Sequence, residues 1–201
     1  MSPSIAARHL VLRTSTVAAL VAAALVLPET LAAQQSGMDE IPGMQMSGPR
    51  IHSGGPTIAV EDPTFVAPAD HVFRAVFEIN DGSPEDASNM QMGTIARFLN
   101  LHARHGVPDE RVHAAAVVHG SGFRALLRDD AYGERYDGAT NPSRELVEEL
   151  LANGVQIVLC GQTAGARQID RDELIPGVQV GWSAMTALNV FQTRGYTFNP
   201  W

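Results

Sequence analysis

From residue 71 onwards the chain alternates between short apolar runs and longer amphipathic segments. Three of the runs, at 71–79, 112–118 and 155–160, are rich in aliphatic residues, and each is followed by a glycine-containing turn. Such runs are typical of strands buried on both faces of a parallel sheet. Shorter runs at 178–180 and 195–198 predict two further strands. The order of elements therefore predicts an α/β domain over residues 70–201, with a mostly parallel sheet of about five strands.

The segments between these runs predict the helices. Residues 85–105 carry apolar side chains at helical spacing, and Ser83-Pro84 resembles a helix start because proline suits the first turn. Residues 128–141 form a polar insertion without a clear period. Further helices are predicted at 123–127, 143–152, 162–169 and 183–193.

The first 33 residues have the layout of a secretory signal peptide. Arg8 and Arg13 precede an apolar run at 17–27, and the small residues Ala32 and Ala33 offer a cleavage site. The run is too short for a stable membrane span, although an uncleaved anchor is the alternative. We therefore expect a periplasmic or secreted protein that is not inserted in the membrane after cleavage.

Residues 34–69 are rich in Gly, Pro, Ser and Met and show no sustained period. This composition predicts a linker or an amino-terminal arm. Thioether and imidazole groups suit Cu(I), so the segment contains a weak candidate copper site. The alternative is a linker with incidental methionines, because the spacing of the candidate ligands is irregular. These ligands are Met38, Met44, Met46 and His52.

The charge balance excludes several partners and mechanisms. The chain has 14 basic and 22 acidic residues, and it contains no lysine. A lysine Schiff base or a phosphate-loop lysine is therefore excluded. Because the net charge is negative and no basic cluster occurs, nucleic acid and anionic lipid are not expected as partners.

Cys160 is the only cysteine, and it closes the third predicted strand immediately before Gly161. The carboxyl ends of parallel strands and the amino termini of the following helices form the binding crevices of open α/β sheets. A thiol placed there has a lowered pKa and can act as a nucleophile or sulfur carrier. Backbone N–H groups of residues 161–164, which include Gln162 and Thr163, could stabilise a thiolate or an anionic ligand. The alternative is a buried structural cysteine, since free cysteines are commonly buried.

Two other strand ends belong to the same predicted crevice. Asn80 begins the turn after the first strand, and His119-Gly120 follows the second. His119 could act as a general base or as a hydrogen-bond donor, or it could simply bind backbone at a strand end. Asp81 is interpreted as a turn residue. His102 and His105, on the first long helix, are interpreted as a solvated helix end rather than a metal site.

Three segments together resemble the DsrE/DsrF-like family. They are VQIVLCGQT at 155–163, VVHGSG at 117–122 and ELIPGVQVGWSAMTALNVFQTRGYTF at 173–198. The cysteine followed by glycine, together with the Leu-x-Pro-Gly-Val segment, is most similar to the sulfur-oxidation-related branch. The resemblance implies a flavodoxin-like three-layer α/β/α fold, assembly into dimers, trimers or hexamers, and a cysteine that carries sulfane sulfur as a persulfide. It implies no cofactor.

Two functions follow from these observations. In the first, an exported protein accepts sulfane sulfur on Cys160 and exchanges it with a donor or acceptor protein, since the chain has no second cysteine. In the second, the chain is a non-catalytic oligomeric binding module of the periplasm in which Cys160 is structural.

Overall fold

The computed structural model describes residues 41–200 of the chain. A two-stranded antiparallel hairpin, β1 (Met44–Gln45) and β2 (Thr57–Ile58), precedes a five-stranded sheet whose neighbouring strands are all parallel. The strands of this sheet are β3 (Phe73–Ile79), β4 (Val112–Val118), β5 (Gln156–Cys160), β6 (Gln179–Gly181) and β7 (Thr197–Asn199). Their order across the sheet is β6-β5-β4-β3-β7.

Helices cover both faces of the sheet. They are α1 (Met90–Arg104), α2 (Asp129–Arg135), α3 (Arg144–Ala152), α4 (Gly161–Arg167) and α5 (Ala184–Thr193). On one face α1 packs on β3, β4 and α3, and on the other face α5 contacts β3, β4 and β5. The predicted three-layer, flavodoxin-like α/β fold is confirmed.

Successive side chains along each strand point to opposite faces of the sheet, so the core is divided into two clusters. Phe77 and Ile79 of β3 belong to the larger core beneath α1, whereas Val76 packs with Val158 and Phe191 on the α5 face. Because both faces are covered, residues 75–77, 114–118 and 157–160 are apolar without interruption, which explains the apolar runs in the sequence.

The first long helix begins later than the sequence indicated. We expected a start near residue 85, but α1 begins at Met90, and Asn89 is its N-cap. The Asn89 side chain accepts a hydrogen bond from the Met92 N–H at 2.9 Å, and the Asn89 N–H donates to Ser143 Oγ at 2.9 Å. The cap is therefore determined both by a favourable local residue and by a contact with a distant segment.

The polar insertion at 128–141 contains a helix that the sequence pattern did not reveal. The helix α2 spans seven residues and buries only Ala131 and Tyr132. Two buried positions are too few to produce a recognisable helical period. The predicted short helix at 123–127 is a 3-10 helix, Gly120–Leu126.

The arm between residues 41 and 70 lies against the domain. Ile51 is completely buried in the larger core, and Arg104 of α1 donates a hydrogen bond to Thr57 Oγ1. Glu149 of α3 accepts a hydrogen bond from the Ser53 N–H at 2.8 Å. The arm is thus joined to both α1 and α3.

The predicted leader at 1–33 and the candidate copper ligand Met38 lie outside the described residues. Within residues 41–200, no helix combines the length and the apolar character that crossing a membrane requires.

Candidate functional site

Cys160 is the last residue of β5 and is followed directly by α4. Its Cα pairs with that of Gly181 in β6, and its side chain lies on the α5 face of the sheet, two residues after Val158. Only 6% of its surface is exposed. The strand end predicted from the sequence therefore carries a buried thiol.

The Cys160 thiol is surrounded by hydrogen-bond donors. They are the backbone N–H groups of Thr163, Ala184 and Gln162 and the hydroxyl of Thr163. Burial is the largest single influence on the pKa of this thiol and raises it, but the donors together outweigh burial and hold the pKa below its ordinary value. Compared with an ordinary cysteine, the site thus stabilises the thiolate, which is the nucleophilic form.

One of these donors, Ala184, is missed by reasoning from the sequence. The hydroxyl of Ser183 caps α5 by accepting a hydrogen bond from the Thr186 N–H at 3.0 Å. Ser183 before an apolar helix is a recognisable N-cap signal. What local sequence could not reveal is that this helix start meets Cys160, because the meeting depends on the pairing of β5 with β6.

Gly161 lets β6 approach the start of α4 closely. A Cβ atom at this position would lie 2.4 Å from the Gly181 carbonyl oxygen and 3.2 Å from that of Trp182. Gln162, which is exposed, donates from Nε2 to the Trp182 carbonyl at 3.3 Å. These contacts hold the segment from Gly181 to Ala184, the first residue of α5, beside Cys160.

Gly120 connects the end of β4 to the start of α4, which directly follows Cys160. Its N–H donates to Thr163 Oγ1 at 3.2 Å, and Thr163 in turn donates to the thiol. Its φ is +57°, and a Cβ atom there would lie 2.9 Å from the Asn80 carbonyl oxygen. A side chain at position 120 would therefore be strained and would also separate the two strand ends.

His119 follows Val118, whose register partner is Leu159, so His119 and Cys160 end neighbouring strands. The His119 Nε2 atom lies 2.9 Å from Glu78 Oε1, and both side chains are partly exposed. Because a carboxylate only accepts hydrogen bonds, Nε2 carries the proton in this pair. In the neutral ring Nδ1 is then the nitrogen that carries the lone pair. Glu78 was not among the residues expected at the site.

Asn80 shapes the crevice through its backbone and its contact with α1. Its carbonyl accepts hydrogen bonds from the N–H and the hydroxyl of Ser121, at 3.2 and 3.1 Å. Its N–H and that of Asp81 donate to Gln91 Oε1 at 2.9 and 3.0 Å. Asp81 also accepts from the Ser83 N–H, as its interpretation as a turn residue predicts.

The three strand ends therefore meet at one edge of the sheet. The hydrogen bonds described above connect Asn80 to the loop at 119–122 and connect Gly120 to Thr163. Gly161 and Gln162 lie at the same edge, at the start of α4. The catalytic or binding roles of these side chains remain predictions.

The other candidate residues lie away from this edge. His102 is partly buried between the rings of Phe73 and Phe98, at centroid distances of 4.2 and 4.4 Å, so it is not the solvated helix-end residue that was expected. Met44 and Met46 are half-buried and His52 is exposed. Among residues 41–200, no cluster of three or more His, Cys, Asp or Glu side chains is arranged to hold a metal ion.

Solved structures and one family model are similar to this chain. A solved structure of a protein of unknown function from Methanobacterium thermoautotrophicum is 25% identical, covers 64% of this chain and 98% of its own, and has a TM-score of 0.47. The crystal structure of the ychN protein from E. coli is 18% identical, covers 63% of this chain and 97% of its own, and has a TM-score of 0.44. No curated protein matches the sequence. The family model of the DsrE/DsrF-like family matches residues 72–200, and the chain belongs to this family.

Proposed function

We propose that the protein handles sulfur and that Cys160 accepts sulfane sulfur as a persulfide. The observation that carries this proposal is the set of donors around the thiol, which lowers its pKa despite burial. Membership of the DsrE/DsrF-like family and the resemblance to its sulfur-oxidation-related branch, through the Leu-x-Pro-Gly-Val segment at 174–178, support it.

The proposed step is a transfer of one sulfur atom. The Cys160 thiolate attacks the outer sulfur of a donor persulfide, a new S–S bond forms at Sγ, and the donor S–S bond breaks with its electron pair on the departing thiolate. With thiosulfate the same attack releases sulfite and leaves the persulfide on Cys160. The donors that stabilise the thiolate also suit the terminal anion of the persulfide. His119 is the proposed base, since its Nδ1 can accept the proton that the outer sulfur of the donor persulfide carries, which leaves the new persulfide on Cys160 as an anion.

Intact-protein mass spectrometry tests this function. After incubation with thiosulfate or polysulfide, we expect the mass to increase by whole sulfur atoms, and the dithiothreitol-treated protein to return to its original mass. Cys160→Ser should form no adduct, whereas His119→Gln should form it more slowly. The absence of an adduct with both donors, or an equal adduct on Cys160→Ser, would refute the proposal.

The 6% exposure of Cys160 favours a second candidate, a non-catalytic oligomeric binding module in which the thiol is structural. This function predicts that iodoacetamide labels Cys160 only in urea-unfolded protein, and that Cys160→Ala leaves assembly intact. Labelling of the folded protein at a rate that rises with the thiolate fraction would support the sulfur acceptor instead.

We further propose that the protein acts as a homo-oligomer. Trp182 and Met185, close to Cys160, are 84% and 80% exposed, and α5 is the helix that covers this face of the sheet among residues 41–200. A second copy of the chain would cover these apolar side chains. Light scattering should show a dimer, trimer or hexamer, and Trp182→Ser with Met185→Ser should shift it towards the monomer.

Export is also part of the proposal, with cleavage after the leader at 1–33 and function in the periplasm or outside the cell. Its support is the signal-peptide layout around Arg8 and Arg13. Protein recovered from a periplasmic fraction should begin near Gln34. A full-length mass confined to the cytoplasm would contradict export.

A further inference from the structure

A cavity of about 680 Å³ lies between the arm and the carboxyl-terminal end of α1. The arm contributes residues such as Phe65 and Pro68, and α1 contributes Leu101 and His102. This is the end of the sheet where β3 and β4 begin, so the cavity lies opposite the edge that carries Cys160. Its volume is within the range of small-molecule sites.

The arm is held in place around the cavity by hydrogen bonds at both ends. The Val60 N–H donates to His105 Nε2 at 3.4 Å, and Arg111 donates to the Ala69 carbonyl. The His71 N–H closes a turn onto the Pro68 carbonyl at 2.9 Å. Backbone contacts therefore hold the arm beside the cavity, which is open to solvent on the side of Phe65.

One wall of the cavity is aromatic. The rings of His71 and Phe73 are 4.5 Å apart, and those of Phe73 and His102 are 4.2 Å apart. Burial lowers the pKa of His102, and nearby His105 and His71 lower it further, although the bond to the Phe98 carbonyl opposes them. The lowered pKa favours the neutral ring of His102, which extends the apolar surface of the cavity.

Of the described residues in the cavity wall, Arg111 is the one permanent cation. Among the lining residues that the structure describes, none is acidic. The guanidinium has five N–H donors, and the bond to the Ala69 carbonyl uses only part of this capacity. Arg111 therefore offers charge-assisted hydrogen bonds to an anion at the border of an apolar space.

We propose that this cavity binds a small carboxylic acid with an apolar body. The carboxylate pairs with Arg111, and the hydrocarbon lies along the wall of Phe73 and His102. The charge of Arg111, the absence of acidic lining residues among those described and the apolar wall all fit this ligand. The site is independent of Cys160 and of sulfur chemistry.

Calorimetric titration of the full chain with four probes tests the proposal. Octanoate, octan-1-ol and octylammonium each contain eight carbon atoms in an unbranched chain and carry different head groups, and 2-naphthoate replaces the alkyl body with a flat aromatic one. We expect octanoate or 2-naphthoate to bind saturably below about 10 mM, and the alcohol and the amine to bind at least about tenfold more weakly. The tighter of the two carboxylates identifies an alkyl or an aryl ligand.

Variants separate this site from unspecific binding. Arg111→Gln should weaken carboxylate binding about tenfold, Arg111→Lys should retain most of it, and Arg194→Gln, an exposed arginine at the end of α5, should not change it. Cys160→Ser should bind normally. Circular dichroism and urea midpoints verify that each variant is folded, and NMR shift changes should centre on Phe73, His102 and Val107.

Three results would overturn the proposal. One is the lack of saturable binding by either carboxylate to the folded protein. Another is binding of octylammonium or octan-1-ol as tight as that of octanoate, or binding that Arg111→Gln leaves unchanged. The third is a set of NMR shift changes centred away from the cavity.

Discussion

The side-chain amide of Asn100 forms hydrogen bonds with both the N–H and the carbonyl group of Ile51. Asn100 Oδ1 accepts a hydrogen bond from the Ile51 N–H at 2.7 Å, and Nδ2 donates to the Ile51 carbonyl at 3.0 Å. The same carboxamide also accepts from the Arg50 N–H and donates to the carbonyls of Gly54 and Gly55. Asn100 is fully buried, so one side chain satisfies a group of backbone atoms that are buried or partly buried.

Replacing Asn100 should therefore destabilise the arm. Asn100→Ala leaves several buried N–H and carbonyl groups without partners, and we expect it to cost about 3 kcal/mol of the free energy of unfolding. Urea denaturation measures this loss. Asn189→Ala, at an exposed position of α5, should change the stability by less than about 0.5 kcal/mol. Equal effects of the two substitutions would show that the Asn100 contacts contribute nothing.

Glu149 should make the stability depend on pH. Burial opposes ionisation of its carboxyl group, but hydrogen bonds from Ser53 and His52 outweigh burial and hold the pKa below its ordinary value of 4.5. A carboxyl whose pKa is lowered by folding stabilises the protein fully above its unfolded-state pKa, and this contribution is lost as the pH falls through the folded-state pKa.

Between about pH 5 and about pH 3, the free energy of unfolding of the native protein should therefore fall more steeply than that of Glu149→Gln. Urea denaturation across this range measures the difference. Glu145→Gln, an exposed position of the same helix, should follow the native curve. If the native and Glu149→Gln curves are parallel, the proposed linkage is wrong.

Gly161 and Gly165 form a matched pair within α4. A Cβ at Gly161 would meet the Gly181 carbonyl oxygen at 2.4 Å, whereas a Cβ at Gly165 meets nothing within 4 Å. We expect Gly161→Ala to destabilise the protein by about 2 kcal/mol, because backbone must move. Gly165→Ala should stabilise it by up to about 1 kcal/mol through helix propensity. Thermal and urea unfolding distinguish the two, and a neutral Gly161→Ala would contradict the close approach.

Thr163 should control the ionisation of Cys160. Thr163→Val removes a hydroxyl donor from the thiolate, so the pKa of the Cys160 thiol should rise, while Thr163→Ser should keep it near the native value. Thiolate absorbance in the ultraviolet, followed against pH with Cys160→Ala as the blank, measures the pKa of the Cys160 thiol in both variants. At neutral pH the Val variant should also react more slowly with iodoacetamide. An unchanged or lower pKa in Thr163→Val would show that the hydroxyl does not stabilise the thiolate.

Elements with strong local signals were predicted closely. The strand β4 spans the predicted residues 112–118, and α5 begins one residue after the predicted position at 183. Both combine a clear apolar pattern with a defined boundary. The start of α1 was predicted wrongly because Ser83-Pro84 offered a competing start, and Asn89 is selected as the cap partly by its contact with Ser143.

Some residues of the candidate site also have a local sequence signal, whereas another depends on a contact between distant segments. Cys160, His119 and Asn80 could be assigned to strand ends from the sequence, because each follows an apolar run. Glu78 was missed because it lies within β3 and has no local feature that distinguishes it from other strand residues. Its role as the partner of His119 follows from the 2.9 Å distance between the two side chains, which join neighbouring strands.

The amino-acid sequence by itself determined the alternation of strands and helices and the position of Cys160 at the end of β5, because apolar periodicity and glycine turns are local properties of the chain. Only the tertiary structure decided that the Ala184 N–H reaches the thiol and that the arm and α1 enclose a cavity beside Arg111. Both depend on residues far apart in the sequence, and their meeting follows from the strand order and from the packing of the arm, which no local pattern encodes.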